Sequence, residues 1–254
     1  MDFFNYHRRP TIDVHIGNIT MGGNHPIVLQ TMTNTNTLHT DASVAQCERI
    51  IAAGAQLIRL TAQGVREAEN LRNIKQQLRD KGYSTPLSAD IHFNTRAAEA
   101  AAKIVEKVRI NPGNFVDKQK TFAQLEYTDE EYLQELQKIR VKVVDFLNVC
   151  KEYGTAVRIG VNHGSLSDRI MSRYGDTPLG MVESALEFLR ICIDEGYYNI
   201  VLSMKASNPQ VMVQAYRLLI AKMRAEFMDL NRENNSLPAL FPLHLGVTEA
   251  GEAE

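Results

Sequence analysis

Cysteine is scarce: Cys47, Cys150 and Cys192 are the only three in 254 residues, far apart and in no Cys-x-x-Cys pair. An odd count in a chain of this length argues against a disulfide framework and points to free thiols in a reducing compartment. Long apolar runs are missing as well. No stretch reaches the roughly 18 apolar residues of a membrane span, and the opening MDFFNYHRRP lacks the apolar core of a signal peptide. The expected location is the cytoplasm. The chain also lacks an excess of either charge: the formal net charge is −2, which excludes a chain-wide basic footprint for nucleic acid. There is no His-x-His pair, no low-complexity tract and no linker. These absences leave one soluble domain with neither a membrane nor a nucleic-acid partner.

What is present alternates. The segment IDVHIGNITMGG reads as a small β-hairpin, followed by a first strand at Ile27 to Met32 and a helix from Asp41 that stops at Gly54. Further strands are expected near 56–61, 85–90, 107–111, 155–160, 198–204 and 240–247, with helices near 65–80, 95–104, 129–153, 178–196 and 208–233. Strict β-α alternation with short connections predicts a parallel sheet under an outer layer of helices. Seven such strands point to the α/β class and the (β/α)₈ TIM barrel, typically about 250 residues long. The seventh expected strand ends near Val247, so the barrel is expected to stop before its eighth strand. Strands one and seven should then stand apart, with the TEAGEAE tail or a neighbouring molecule over the gap.

Period-two alternation sorts the side chains. In the run 108–111, Val108 and Ile110 share one face, and Arg109 and Asn111 share the other. Arg158 repeats the arrangement in AVRIG, Arg59 and Thr61 repeat it in IRLT, and Lys205 falls in nearly the same place in VLSMKASN. With the branched residues against the helices, the cations point into the barrel near its C-terminal mouth, where active sites of this fold lie. An unpaired guanidinium there is costly and needs a carboxylate or a bound anion. The expected internal carboxylates, Asp90 and Glu249, do not neutralise four cations. A site for a multiply charged anion such as a diphosphate follows, with arginine forks on phosphate oxygens and Lys205 as a point charge. The plainer alternative is that some cations lean into solvent or stack in structural pairs. Asn111, Asn114, Asn162, Ser165, Ser203 and Ser207 end or follow strands beside them, as do Gly113 and Gly164. A glycine there lets backbone N–H groups approach an anion closely.

His92, His163 and His244 also fall near strand ends, which keeps a metal-dependent hydrolase barrel open as an alternative. Four cations repel a divalent metal, so hydrogen-bonding roles are the expectation for these histidines. The charged stretch LEYTDEEYLQELQKIR reads as a solvated helix face.

Taken together, LQTMTNTNT, IRLTAQG, SADIHF, VRINPGNF, RIGVNHGSLSDRIM, VLSMKASNP and LHLGVTEAG closely resemble the 4-hydroxy-3-methylbut-2-enyl diphosphate synthase family. The resemblance runs from about Thr11 to the last residue. The long connection NFVDKQKTFAQLEYTDEEY is similar to the family's three-domain branch. It implies an oxidoreductase of the methylerythritol phosphate route to isoprenoids, which opens the ring of 2-C-methyl-D-erythritol 2,4-cyclodiphosphate with loss of water. Two electrons come from a [4Fe-4S] cluster, held by three cysteines and a glutamate on a separate C-terminal domain and supplied by an electron donor protein. The full-length protein is expected to be a homodimer. None of this chain's cysteines lies in the cluster motif. Residues 1–254 are therefore expected to be the substrate-binding barrel without the middle and iron–sulfur domains, binding diphosphate but not turning over. By motif, Arg59, Arg109, Arg158 and Lys205 hold the diphosphate, helped by Asn111, Asn162 and Ser203. Glu249, with Thr248, reaches toward the reacting carbon and supplies a proton, and Asp90 and His92 support the mouth. The fold also resembles dihydropteroate synthase, which keeps another phosphate- or pterin-binding barrel as an alternative, alongside a non-catalytic anion-binding module.

Overall fold

The computed structural model describes residues 8–91, 94–116, 126–227 and 240–246. The expected hairpin is present: β1 (Asp13–Ile16) and β2 (Ile19–Gly22) pair antiparallel with Val14 opposite Met21. Gly17 makes the turn at a φ of 58°, a left-handed conformation that suits glycine.

Six parallel strands then form one sheet in chain order: β3 (Gln30–Met32), β4 (Leu57–Ala62), β5 (Leu87–Ile91), β6 (Lys107–Ile110), β7 (Ala156–Asn162) and β8 (Ile200–Lys205). The connecting helices are α1 (Thr40–Ala52), α2 (Val65–Asp80), α3 (Thr95–Ala102), the single turn α4 (Pro112–Phe115), α5 (Asp129–Tyr153), α6 (Asp168–Tyr174), α7 (Pro178–Asp194) and α8 (Pro209–Phe227). The main core lies between sheet and helices. Ile58, Leu60, Leu87, Ala89, Val108, Ile110, Val157, Ile159, Ile200 and Leu202 supply its sheet side. On α2 the buried residues Ala68, Leu71, Ile74 and Leu78 recur at helical spacing to meet them. The other sheet face closes at the N-terminal strand ends, where Leu57, Ala156 and Val201 pack under Val14, Ile16 and Met21 of the hairpin. The hairpin thus plugs one end of the barrel, and the strand C-terminal ends are left to carry a site.

Several elements match their sequence signals closely. Thr128 and Glu131 form a reciprocal capping box at the start of α5, and Gly154 ends it at a φ of 68°. Phe115 from α4 packs edge-on against Phe146 of α5 and Phe188 of α7, with ring centroids 5.5 and 6.3 Å away. A fully buried ring of this kind contributes about 1.5–3 kcal/mol, enough to hold the loop after β6 in place.

Three features depart from expectation. β3 is shorter than the predicted 27–32, because it is an edge strand and Ile27 and Leu29 lie 77% and 62% exposed. α6 is a helix that periodicity did not predict; Ser167 caps it, and Arg169 grips Glu187 of α7 through two 2.7 Å hydrogen bonds. In place of a strand at 240–247, Leu243 makes a single parallel bridge to Leu202. Pro242 accepts from the Leu202 N–H but has no N–H of its own to extend the ladder. Among the described residues nothing pairs β3 with this segment, so the sheet is open between them. Residues 228–233 of the predicted last helix, Val247 and the TEAGEAE tail lie outside the described residues.

Candidate functional site

Strand register builds two rows on the inner face of the sheet. Arg59, Ser88 and Lys107 are neighbours across β4, β5 and β6, and Asp90, Arg109 and Arg158 are neighbours across β5, β6 and β7. Further toward the C-terminal ends, Gly160 pairs with Ser203, and Asn162 with Lys205. Alternation thus sends the apolar half of each strand to the helices and its polar half inward, as the sequence predicts.

Asp90 sits between two arginines. Arg109 donates to one of its carboxylate oxygens at 3.0 Å, and the Arg59 Nε lies 3.5 Å from the other. Arg109 also donates to the Gly160 carbonyl at 2.9 Å and to Asn162 Oδ1 at 3.2 Å, so it ties β5, β6 and β7 together. The room for this comes from Gly160, where a Cβ would fall 2.6 Å from the Arg109 Nε. Arg59 points its terminal nitrogen at the Met32 sulfur, 2.8 Å away.

Arg158 differs. Among the described residues it makes one hydrogen bond, to Ser203 Oγ at 3.1 Å, and its buried Nε has no partner. Burial, then the neighbouring Arg109 and Arg59, push its proton affinity down to about 9. A guanidinium nonetheless keeps its charge in a folded protein, so Arg158 is a buried cation with no carboxylate bonded to it among the described residues.

The loops after β6 and β7 interlock beside these cations. Asn111 caps α4 and donates to Ser165 Oγ at 2.7 Å, and Ser165 in turn donates to the Asn162 carbonyl at 3.3 Å. Gly113 lies under the second loop so closely that a Cβ would fall 1.7 Å from the Ser165 carbonyl oxygen. His163 is drawn to Asp176, 3.0 Å away. The structure therefore brings Arg59, Asp90, Arg109, Asn111, Arg158, Asn162, Ser203 and Lys205 to one end of the sheet. His92, Thr248 and Glu249 lie outside the described residues. Among the described residues no three His, Cys, Asp or Glu side chains cluster as a metal site would require.

One inward group, Lys107, was not singled out in the sequence. Lys107 is fully buried and donates to Gln30 Oε1 of β3 at 2.7 Å, across the barrel interior. Burial first, then Arg158 and Arg59, push its proton affinity well below the usual lysine range. Its signal was its position two residues before Arg109, on the same strand face. His244 follows the Leu243 bridge, and burial with Arg158, Lys107 and Arg59 nearby pushes it down to about 2, so its ring is neutral.

The fold has a solved counterpart: a truncated 3-deoxy-D-arabino-heptulosonate 7-phosphate synthase from Thermotoga maritima superposes with a TM-score of 0.51 at 10% identity, over 83% of this chain and 65% of that one. Relatives named 4-hydroxy-3-methylbut-2-en-1-yl diphosphate synthase (flavodoxin) are much nearer in sequence. The Bacteroides fragilis protein is 61% identical over all 254 residues, and the Leptospira interrogans protein is 53% identical over 249 residues, or 98% of this chain. The chain spans 39% and 36% of the length of those two relatives. Residues 11–254 match the family of GcpE TIM-barrel domains, and the chain belongs to that family.

Proposed function

We propose that this chain is the diphosphate-binding barrel of a longer 4-hydroxy-3-methylbut-2-en-1-yl diphosphate synthase, an oxidoreductase of isoprenoid biosynthesis. The observation that carries the reading is the charge balance of the inner face. The described strands turn the guanidinium groups of Arg59, Arg109 and Arg158 inward against one carboxylate among the described residues, Asp90. A dianionic or trianionic ligand offsets that excess, and the cyclic diphosphate of the methylerythritol phosphate route is the ligand that the relatives' name favours.

In this reading Arg158 and Lys205 meet phosphate oxygens most directly. Arg59 and Arg109 are set in place by Asp90, and Asn111, Asn162 and Ser203 orient the ligand at the rim. Thr248 and Glu249 are assigned the reacting carbon, with Glu249 supplying a proton, and His92 is assigned, with Asp90, to support the mouth. The chain's own cysteines do not fit a [4Fe-4S] cluster, whose iron takes thiolates. Cys47, Cys150 and Cys192 are buried on α1, α5 and α7. Burial pushes the Cys47 thiol up to about 11, Cys192 up to about 12, and Cys150 upward as well. The cluster is assigned to a separate domain of the whole protein, so this chain alone binds without turnover. Flavodoxin, named with the relatives, is the electron donor assigned to the whole protein, which we read as a cytoplasmic homodimer with no nucleic-acid or membrane partner. No described helix is long and apolar enough to cross a membrane.

A thermal-shift panel tests the ligand class. The cyclic diphosphate and pyrophosphate should each raise the melting temperature, and a pterin should not. Stabilisation by the pterin alone would overturn the reading.

A further inference from the structure

Lys107 is unusual among the inward cations because it lies below the mouth, one register step before Arg109. It is fully buried, and its Nζ reaches Gln30 on β3, with β4 and β5 lying between the two strands. In register with it lie Ser88 on β5 and Ala156 on β7, with Arg59 beyond Ser88 on β4; Asp90 and Arg109 stand two residues nearer the mouth, and Arg158 and the neutral ring of His244 are close enough to act on its charge. Below it the hairpin presents Val14, Ile16 and Met21, all apolar. Asp90, the only carboxylate in this set, is engaged by Arg109 and Arg59, and Ser88 Oγ is buried without a partner among the described residues.

We propose that Lys107, bonded to Gln30 in this structure, is a hidden cation of the anion site that gains a proton when a diphosphate enters. The inference rests on the proposed function and deepens it. A buried ammonium beside two guanidinium groups is disfavoured, which agrees with the downward shift of its proton affinity. An anion held by Arg158 and Arg59 reverses the sign of the local field, and the amine then gains by taking a proton from solvent. No bond of the anion breaks, and nothing is oxidised or reduced. The sign of the linkage follows: the complex holds one proton more than the free chain, so binding tightens as pH falls through the alkaline range. A lysine serving only as a cross-barrel tie predicts no such proton.

The test is calorimetric titration of the chain with pyrophosphate at about pH 8 in two buffers of different ionisation enthalpy. It is run on wild type, Lys107→Met, and Lys107→Met combined with Gln30→Leu, in which neither partner of the bond is left behind. Comparing proteins cancels the proton balance of pyrophosphate itself. Wild type should take up about one proton more per bound pyrophosphate than either variant, and its affinity should gain up to about tenfold per unit fall in pH relative to theirs. Equal proton counts and parallel pH profiles, with pyrophosphate still bound, would overturn the role of Lys107 alone. Failure of wild type to bind pyrophosphate would overturn the anion site itself, and this inference with it.

Discussion

Arg109 and Arg158 face each other in register across β6 and β7, yet their surroundings differ in sign. Arg109 is held by Asp90, the Gly160 carbonyl and Asn162, whereas among the described residues Arg158 has Ser203 alone. Replacing Arg109 by Met strips Asp90 of its closest described ion pair, and we expect a loss of about 3–5 kcal/mol in denaturant unfolding, the range for breaking a buried pair. Arg158→Met instead removes a buried charge with no carboxylate bonded to it among the described residues, and the same unfolding assay should show unchanged or higher stability. Two titrations carry their own signs. His244 is depressed to about 2 in the fold, so the unfolded chain binds more protons as pH drops below its ordinary 6.5. The stability this group contributes is complete above that value and falls away toward about 2; His244→Gln should flatten the acid limb of a stability–pH curve. Lys107 is depressed too, and the unfolded lysine titrates near 10.4, so wild-type stability should rise with pH up to about that value and Lys107→Met should lose the rise. Arg59, Arg109 and Arg158 were legible in the sequence because each interrupts an apolar strand. Lys107 was not, because a lysine at the start of a strand ordinarily reads as a flank that snorkels to solvent.

At the scale of elements, the loops after β6 and β7 lock through Gly113, whose missing side chain lets the Ser165 carbonyl pass. Gly113→Ala must push one loop off the other, and we expect about 1–3 kcal/mol of destabilisation with weakened anion binding; circular-dichroism melting and a pyrophosphate titration check both. The helices were the most legible part of the fold. α2 and α5 occupy 65–80 and 129–153 as predicted, since their apolar spacing and their caps agree. α6 escaped periodicity because seven residues are barely two turns, and its stability comes from the tertiary Arg169–Glu187 pair rather than from a long apolar stripe. The last predicted strand shrank to one bridge where Pro242 interrupts the donors, an effect that apolar content alone does not reveal.

Among the described residues the molecule is a curled parallel sheet, closed at one end by its hairpin and open along β3. The segment leading into that edge carries Ile27 and Leu29, both largely exposed. An apolar sheet edge invites pairing with another copy, so concentration-dependent light scattering is expected, and Ile27→Lys with Leu29→Lys should suppress it. Scattering that ignores these two charges would place the contact elsewhere. The sequence could set the polar face of every strand, but the distribution of Asp90 between Arg59 and Arg109 arises only when β4, β5 and β6 come into register. The central claim, that this polar face holds a diphosphate, is tested most directly by titrating pyrophosphate into wild type and into Arg158→Met by calorimetry. A single saturable site in wild type is expected, weakened by about 1.5–3 kcal/mol in the variant, or roughly 10- to 150-fold. No saturable binding by wild type, or equal affinity in the two proteins, would contradict it.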